Sequence, residues 1–249
     1  MGYRIVRQLA RALLGLFYHR VEVVGREHIP ARGPLIVAAN HHNSLVDPLL
    51  LLATVPRRLV ALAKAPLFRH PLIGPFLRMV GALPVHRRQE AGTDPSRNDA
   101  LFDAVTRTLR AKGGILIFPE GVTQPEPVLM TIRTGAARML LAAEVDAGDR
   151  LNVALLPVGL VFHEPGTFRT GWALSLVGPP VPTGDCVTLY RTEPEAAVRP
   201  RGCARAPRPR RDGRRGRGAR EPAGGRSGTP SPRCSGRVAT KGRRHTAPV

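Results

Sequence analysis

Cysteine is scarce in this chain. Cys186, Cys203 and Cys234 are the three in 249 residues, scattered and odd in number. Such spacing speaks against a disulfide framework and against a zinc ligand set, and it fits a reducing compartment. Aromatic residues make up 4% of the sequence. None falls beyond Arg199, so the C-terminal stretch lacks the stacking platforms that single-stranded nucleic acid uses. Lysine is rarer than composition alone would suggest: Lys64, Lys112 and Lys241 stand against 35 arginines. A secretory signal peptide is not expected either, because Arg4, Arg7 and Arg11 interrupt the N-terminal apolar run and no small-residue cleavage site follows it. No internal repeat is visible.

What is abundant is positive charge, and it is unevenly placed. The net formal charge is +20. From Arg199 to the end, 16 Lys and Arg stand against Asp212 and Glu221, a net +14. The preceding residues carry 22 basic and 16 acidic side chains, a net +6, so the extreme basicity belongs to a tail. Residues 199–249 are almost entirely Arg, Gly, Ala, Pro and Ser, cannot bury enough apolar surface to offset chain entropy, and are expected to be disordered. Two origins for this tail stay open. It is a genuine basic segment that holds anionic lipid by charge, or it is translated from a shifted frame of a GC-rich gene in place of a C-terminal helix. Frame inspection for a continuation of the apolar pattern that stops at Val198 separates the two.

Ahead of the tail, 43% hydrophobic content supports one good-sized core. Residues 3–18 place Ile5, Leu9, Leu13 and Phe17 four apart, with arginines largely on another side. This is an amphipathic helix, too short and too charged to span a bilayer. It either packs on its own domain or lies in a membrane interface with arginines near anionic headgroups. Seven short apolar runs follow as expected strands, at 21–25, 34–40, 58–64, 82–87, 114–121, 152–162 and 172–178. Helical stretches are expected at 48–54, 71–80, 98–111 and 133–143. Strands with intervening helices and continuous rather than alternating apolar runs predict an α/β fold with a mixed, largely buried sheet flanked by helices. The expected organisation is a membrane-associating helix over 1–20, a catalytic domain over 21–198 and the tail.

Four short stretches carry chemistry. In AANHHNSLVDP (38–48), His42 and Asp47 are five apart and His41 and Asp47 six apart, and neither pair can share a face of a straight helix. A histidine–aspartate pair therefore requires the histidine to lie in the loop ahead of a helix and curl back over its first turn. The plainer alternative is a helix cap, with Ser44-x-x-Asp47 as a capping box or Asp47 capping ahead of Pro48. VGALPVHRR (80–88) ends a strand in consecutive arginines, suited to gripping a phosphate through a planar guanidinium. GGILIFPEG (113–121) delivers Glu120 and a turn-permitting Gly121 at a strand end. LLPVGLVF (155–162) reads as a buried strand with an unusual central Pro157.

In this order and spacing the stretches resemble the phospholipid/glycerol acyltransferase family over about residues 20–198. Asn40–Asp47, Gly81–Arg87 and Phe118–Gly121 are the specific parts. VEVVGREHIP, RTGAARM and FRTGWALSLVGPPV give support. The resemblance implies a glycerolphosphate-acyltransferase-like fold and an O-acyltransferase in phospholipid synthesis that acts on 1-acylglycerol 3-phosphate. Glycerol 3-phosphate and other lysophospholipids are the alternative acceptors. It also implies a histidine base oriented by Asp47, direct attack of the acceptor hydroxyl on an acyl thioester and no covalent enzyme intermediate. Arg87 would bind the acceptor phosphate, and Glu120 and Gly121 would shape the acceptor site. The donor would be acyl-CoA or acyl carrier protein. No metal or redox cofactor is implied. The expected location is the cytoplasmic face of the cell membrane, peripheral or monotopic.

The first stretch departs from the common H-x-x-x-x-D spacing, which would select His42. A subgroup reads N-H-P-N-S-x-x-D-P, and in its register His41 is the base, with His42 at the usual proline. More surrounding residues match the subgroup, so His41 is preferred and His42 is the alternative. Two other functions compete. A thioester hydrolase could use the same pair with water and without Arg87. The basic tail could bind nucleic acid, but only nonspecifically and with strong salt dependence.

Overall fold

The computed structural model describes residues 2–86, 96–121, 132–148, 151–164 and 166–198. The whole of the basic tail, residues 199–249, lies outside these residues.

The fold is built on one sheet of seven strands: β1 (Arg20–Val24), β2 (Leu35–Ala39), β3 (Leu59–Lys64), β4 (Leu83–Val85), β5 (Gly114–Ile117), β6 (Ala154–His163) and β7 (Trp172–Val177). Their order is β1-β7-β6-β2-β5-β3-β4. All neighbours run parallel except β6 and β7, which pair antiparallel as a hairpin. Each strand falls where an apolar run led one to expect it. The sheet is mixed, and helices cover both faces.

Side chains alternate between those faces. Leu35, Val37 and Ala39 of β2 point to one core with Leu116, Leu156 and Leu160, and this core is closed by α1 (Gly2–Phe17), α2 (Val46–Thr54) and α3 (Ile73–Val80). Ile36 and Ile115 point to the other, closed by α4 (Ser96–Arg110), α5 (Gly135–Asp146) and α6 (Gly184–Thr192). In α4, Leu101, Val105 and Leu109 recur every four residues and are fully buried. Gly81 ends α3 at φ 73°, a left-handed position that a side chain adopts only with strain. Glu144, buried in α5, accepts the backbone N–H of Leu151 at 3.2 Å and of Val153 at 2.5 Å, which ties the helix to the approach of β6.

Three features differ from the sequence expectation. Helix α6, followed by the short α7 (Pro194–Ala197), has too weak an apolar period to stand out. Cys186 in α6 is disulfide-bonded, so the cysteines are not all unpaired. Most telling is α1. Its buried face is Val6, Ala10 and Leu14, packed on α2, while Ile5, Leu9, Leu13 and Leu16 are each more than half exposed. The helix does pack on its own domain, but with the stripe next to the one its four-residue spacing picks out. Among the described residues no helix is long and apolar enough to cross a membrane.

Candidate active site

The site grows from the end of β2, which lies between β5 and β6, both parallel to it. Their carboxyl ends therefore converge, the usual place for chemistry in open α/β sheets. Asn40, the first residue past β2, clamps the neighbouring strand. Its Nδ2 donates to the Leu160 carbonyl at 2.9 Å, and its Oδ1 accepts the Leu160 N–H at 2.6 Å. The side-chain amide continues the sheet pairing one residue beyond the strand, so the following loop starts from a fixed point.

That loop turns through Ser44 at φ 42° and enters α2 at Val46. The turn carries His41 back over the first turn of the helix. His41 Nδ1 lies 2.8 Å from Asp47 Oδ2, and the same oxygen accepts the Asn43 backbone N–H at 2.8 Å. Asp47 is completely buried. The capping alternative is not realised: Leu45 is the N-cap of α2, and no side chain caps it. The carboxylate faces the loop instead. Because a carboxylate only accepts, the pair assigns the His41 proton to Nδ1 and leaves a lone pair on Nε2.

His41 is also held from its face. Its ring stacks on Phe118, with centroids 4.1 Å apart and planes at 19°. Phe118 follows β5, so the first and third stretches meet here because β2 and β5 are neighbours in register, Ala38 opposite Ile117. Glu120, two residues further, is 1% exposed, and neither carboxylate oxygen has a hydrogen-bond partner among the described residues. Gly121 stands at φ 69°, and a Cβ there would come within 3.0 Å of Arg133. Arg133 in turn donates from Nε to the Glu120 carbonyl at 3.2 Å, while its backbone N–H meets the Pro119 carbonyl at 2.8 Å.

A cavity of about 1070 Å³ opens beside the loop. Asn40, His42 and Asn43 form one wall, Glu120 contributes a carboxyl group, and most of the rest is apolar, including Val158, Leu160 and Leu176. His42 thus belongs to the cavity wall, its Nδ1 buried and without a hydrogen-bond partner among the described residues, while His41 pairs with the aspartate. Arg87 lies just outside the described residues, one position past His86. Of the sequence candidates, His41, His42, Asp47, Glu120 and Gly121 come together around this loop and cavity. Asn40, Phe118 and Arg133 all fall in the stretches that carry the resemblance, but their roles as strand-end clamp, ring support and brace were not legible there, since each acts through a neighbour in space. Among the described residues no group of three or more His, Cys, Asp or Glu side chains could hold a metal ion.

These features define an α/β domain in which a histidine pairs with a buried aspartate on the carboxyl edge of its sheet. The chain belongs to the Acyltransferase family, whose model matches residues 20–161. It is 41% identical to an uncharacterized acyltransferase of Schizosaccharomyces pombe over 73% of this chain and 39% of that one. Glycerol-3-phosphate O-acyltransferase 2 of Saccharomyces cerevisiae is 35% identical over 41% of this chain and 14% of its own length. The human 1-acyl-sn-glycerol-3-phosphate acyltransferase alpha is 25% identical over 72% and 61%. The chain therefore spans less than two thirds of each of these relatives. In fold it is similar to the crystal structure of the 1-acyl-sn-glycerophosphate acyltransferase PlsC of Thermotoga maritima, with a TM-score of 0.52 at 23% identity, covering 73% of this chain and 70% of that one.

Proposed function

We propose that the protein transfers a fatty acyl group from an acyl thioester to the hydroxyl of 1-acylglycerol 3-phosphate. The observation that carries this reading is the His41–Asp47 pair, with Nδ1 committed to the buried carboxylate and Nε2 left basic. In the proposed reaction Nε2 takes the proton of the acceptor hydroxyl as its oxygen attacks the thioester carbonyl. The tetrahedral intermediate then collapses with loss of the thiolate, which is protonated in turn. Asp47 keeps the ring oriented and stabilises the imidazolium that forms. No enzyme nucleophile is needed, and the co-substrate is acyl-CoA or acyl carrier protein.

The other roles follow from position and chemistry. The largely apolar cavity beside the loop suits an acyl chain, and Glu120 at its wall suits a hydroxyl of the glycerol backbone. Arg87 is assigned to the acceptor phosphate, for which a guanidinium is the matching donor. The exposed Ile5, Leu9, Leu13 and Leu16 of α1 would rest in the headgroup layer, which makes this a monotopic protein of the cytoplasmic membrane face, where its thioester donors are found.

A labelled acyl thioester offered with glycerol 3-phosphate, 1-acylglycerol 3-phosphate and a set of lysophospholipids tests the proposal. Transfer to 1-acylglycerol 3-phosphate supports it. Preference for glycerol 3-phosphate, in keeping with the similarity to the Saccharomyces protein, would move the chain to that acceptor. Release of free fatty acid without transfer would make it a hydrolase.

A further inference from the structure

Tyr18 lies outside every stretch that marks the site, yet it touches the loop that carries the pair. It follows α1 directly, and its backbone N–H is bonded to the Leu14 carbonyl at 2.8 Å. Its ring is 2% exposed, packed edge-on to Phe17 at 5.0 Å and against Phe162 of β6 at 5.9 Å. Buried aromatic packing on two sides makes it a fixed post. The hydroxyl at its tip accepts a hydrogen bond from Asn43 Nδ2 at 3.3 Å.

Asn43 is the residue whose backbone N–H holds Asp47 Oδ2, the oxygen that also meets His41. Its carbonyl accepts from the Val46 N–H at 2.8 Å, which shapes the entry into α2 but leaves its side chain free to be used elsewhere. The adjoining Ser44 is held at a left-handed φ, so the loop is strained between Asn43 and the helix and needs an outside restraint to keep one geometry. Asp47 Oδ1 has no hydrogen-bond partner among the described residues, so the two contacts of Oδ2 are what define the carboxylate's direction.

We propose that Tyr18 is a positioning residue for acyl transfer: its hydroxyl holds Asn43, Asn43 holds Asp47, and Asp47 holds the His41 ring. The end of α1 thereby becomes part of the catalytic geometry without touching substrate. Only the kinetic arm of the test rests on the acyl-transfer reading. The full chain is compared with Tyr18→Phe, which keeps the ring and removes the oxygen. Asn43→Ala removes the same tie from the loop side and serves where the buried substitution impairs folding. In each, kcat is expected to fall about tenfold, the scale of one lost hydrogen bond; in Tyr18→Phe, which leaves the cavity wall intact, KM for donor and acceptor and the folded fraction at assay temperature stay unchanged. The double variant should be no slower than the slower single one.

The second readout needs no turnover. In histidine-¹⁵N-labelled protein, the hydrogen-bonded Nδ1–H resonance assigned through His41→Gln should broaden or vanish in Tyr18→Phe. Wild-type kcat in Tyr18→Phe, or an unaltered Nδ1–H resonance, overturns the proposal. Wild-type protein that transfers to no acceptor overturns the acyl-transfer reading instead, and the resonance alone then decides the role of Tyr18.

Discussion

The imidazole of His41 lies flat against the ring of Phe118, centroids 4.1 Å apart, although 77 positions separate them in the chain. The contact fixes the ring's tilt, while the 2.8 Å bond to Asp47 fixes its rotation. His42, the adjacent residue, has neither restraint and faces the cavity. This geometry makes unequal demands on the two histidines.

His41→Ala should lower kcat/KM about 10²- to 10⁴-fold, the range for loss of a general base. His42→Ala should cost about tenfold or less, because it removes a wall and not a proton acceptor. Asp47→Asn should approach the His41→Ala loss, since the amide no longer stabilises a charged ring. Steady-state kinetics on the three variants decides between the histidines, and a greater loss in His42→Ala reverses the assignment.

Glu120 presents a different trade. A buried carboxylate with neither oxygen bonded among the described residues is costly to fold, which points to a use by ligand. Glu120→Gln should therefore raise folding stability by about 1–3 kcal/mol while raising acceptor KM. Urea titration and kinetics on the same preparation check both; a destabilised variant with normal KM would mark Glu120 as structural.

On α1 the two apolar stripes should separate cleanly. Leu14→Ala empties a site in the core and should cost about 2–5 kcal/mol of stability. The exposed pair Leu9→Asp and Leu13→Asp should leave stability near wild type and weaken binding to anionic vesicles about tenfold or more. Flotation with vesicles measures the second effect, and unchanged binding would remove α1 from the lipid contact.

Burial raises the phenols of Tyr3 and Tyr18 above their ordinary value of 10.0. The folded protein then holds these protons more tightly than the unfolded chain. The associated stability is intact below pH 10 and is lost as pH climbs past 10 toward the raised folded values. Denaturation midpoints should decline through that alkaline window, and less steeply in Tyr3→Phe, whose hydroxyl otherwise bridges the Arg57 carbonyl at 3.2 Å and the Leu59 N–H at 3.0 Å. An identical decline in Tyr3→Phe would show that Tyr3 takes no part.

Much of the architecture was legible in the residues. The strands were readable because each is a short aliphatic run with turn residues at its ends, and the sheet buries both faces. The loop-to-helix placement of the histidine followed from spacing alone, since neither His41 nor His42 can reach Asp47 along a regular helix. The face of α1 was not legible: Ile5–Leu9–Leu13 and Val6–Ala10–Leu14 are both four-residue apolar series, and only the position of α2 selects the one that is buried. Helix α6 was equally hidden, because its contacts with the domain use few strongly apolar side chains.

The sequence by itself determined that this is an α/β domain of alternating strands and helices, and that a histidine ahead of a helix could meet a carboxylate in its first turn. Such properties depend on residues close together in the chain, where periodicity and turn chemistry act. Tertiary structure decided which histidine that is, because the strand order sets Phe118 beside the end of β2, where its ring stacks on His41 as His41 bonds Asp47, while His42 lines the cavity. It also brought Tyr18 to Asn43, a contact made by packing α1 over the sheet, which no local pattern encodes.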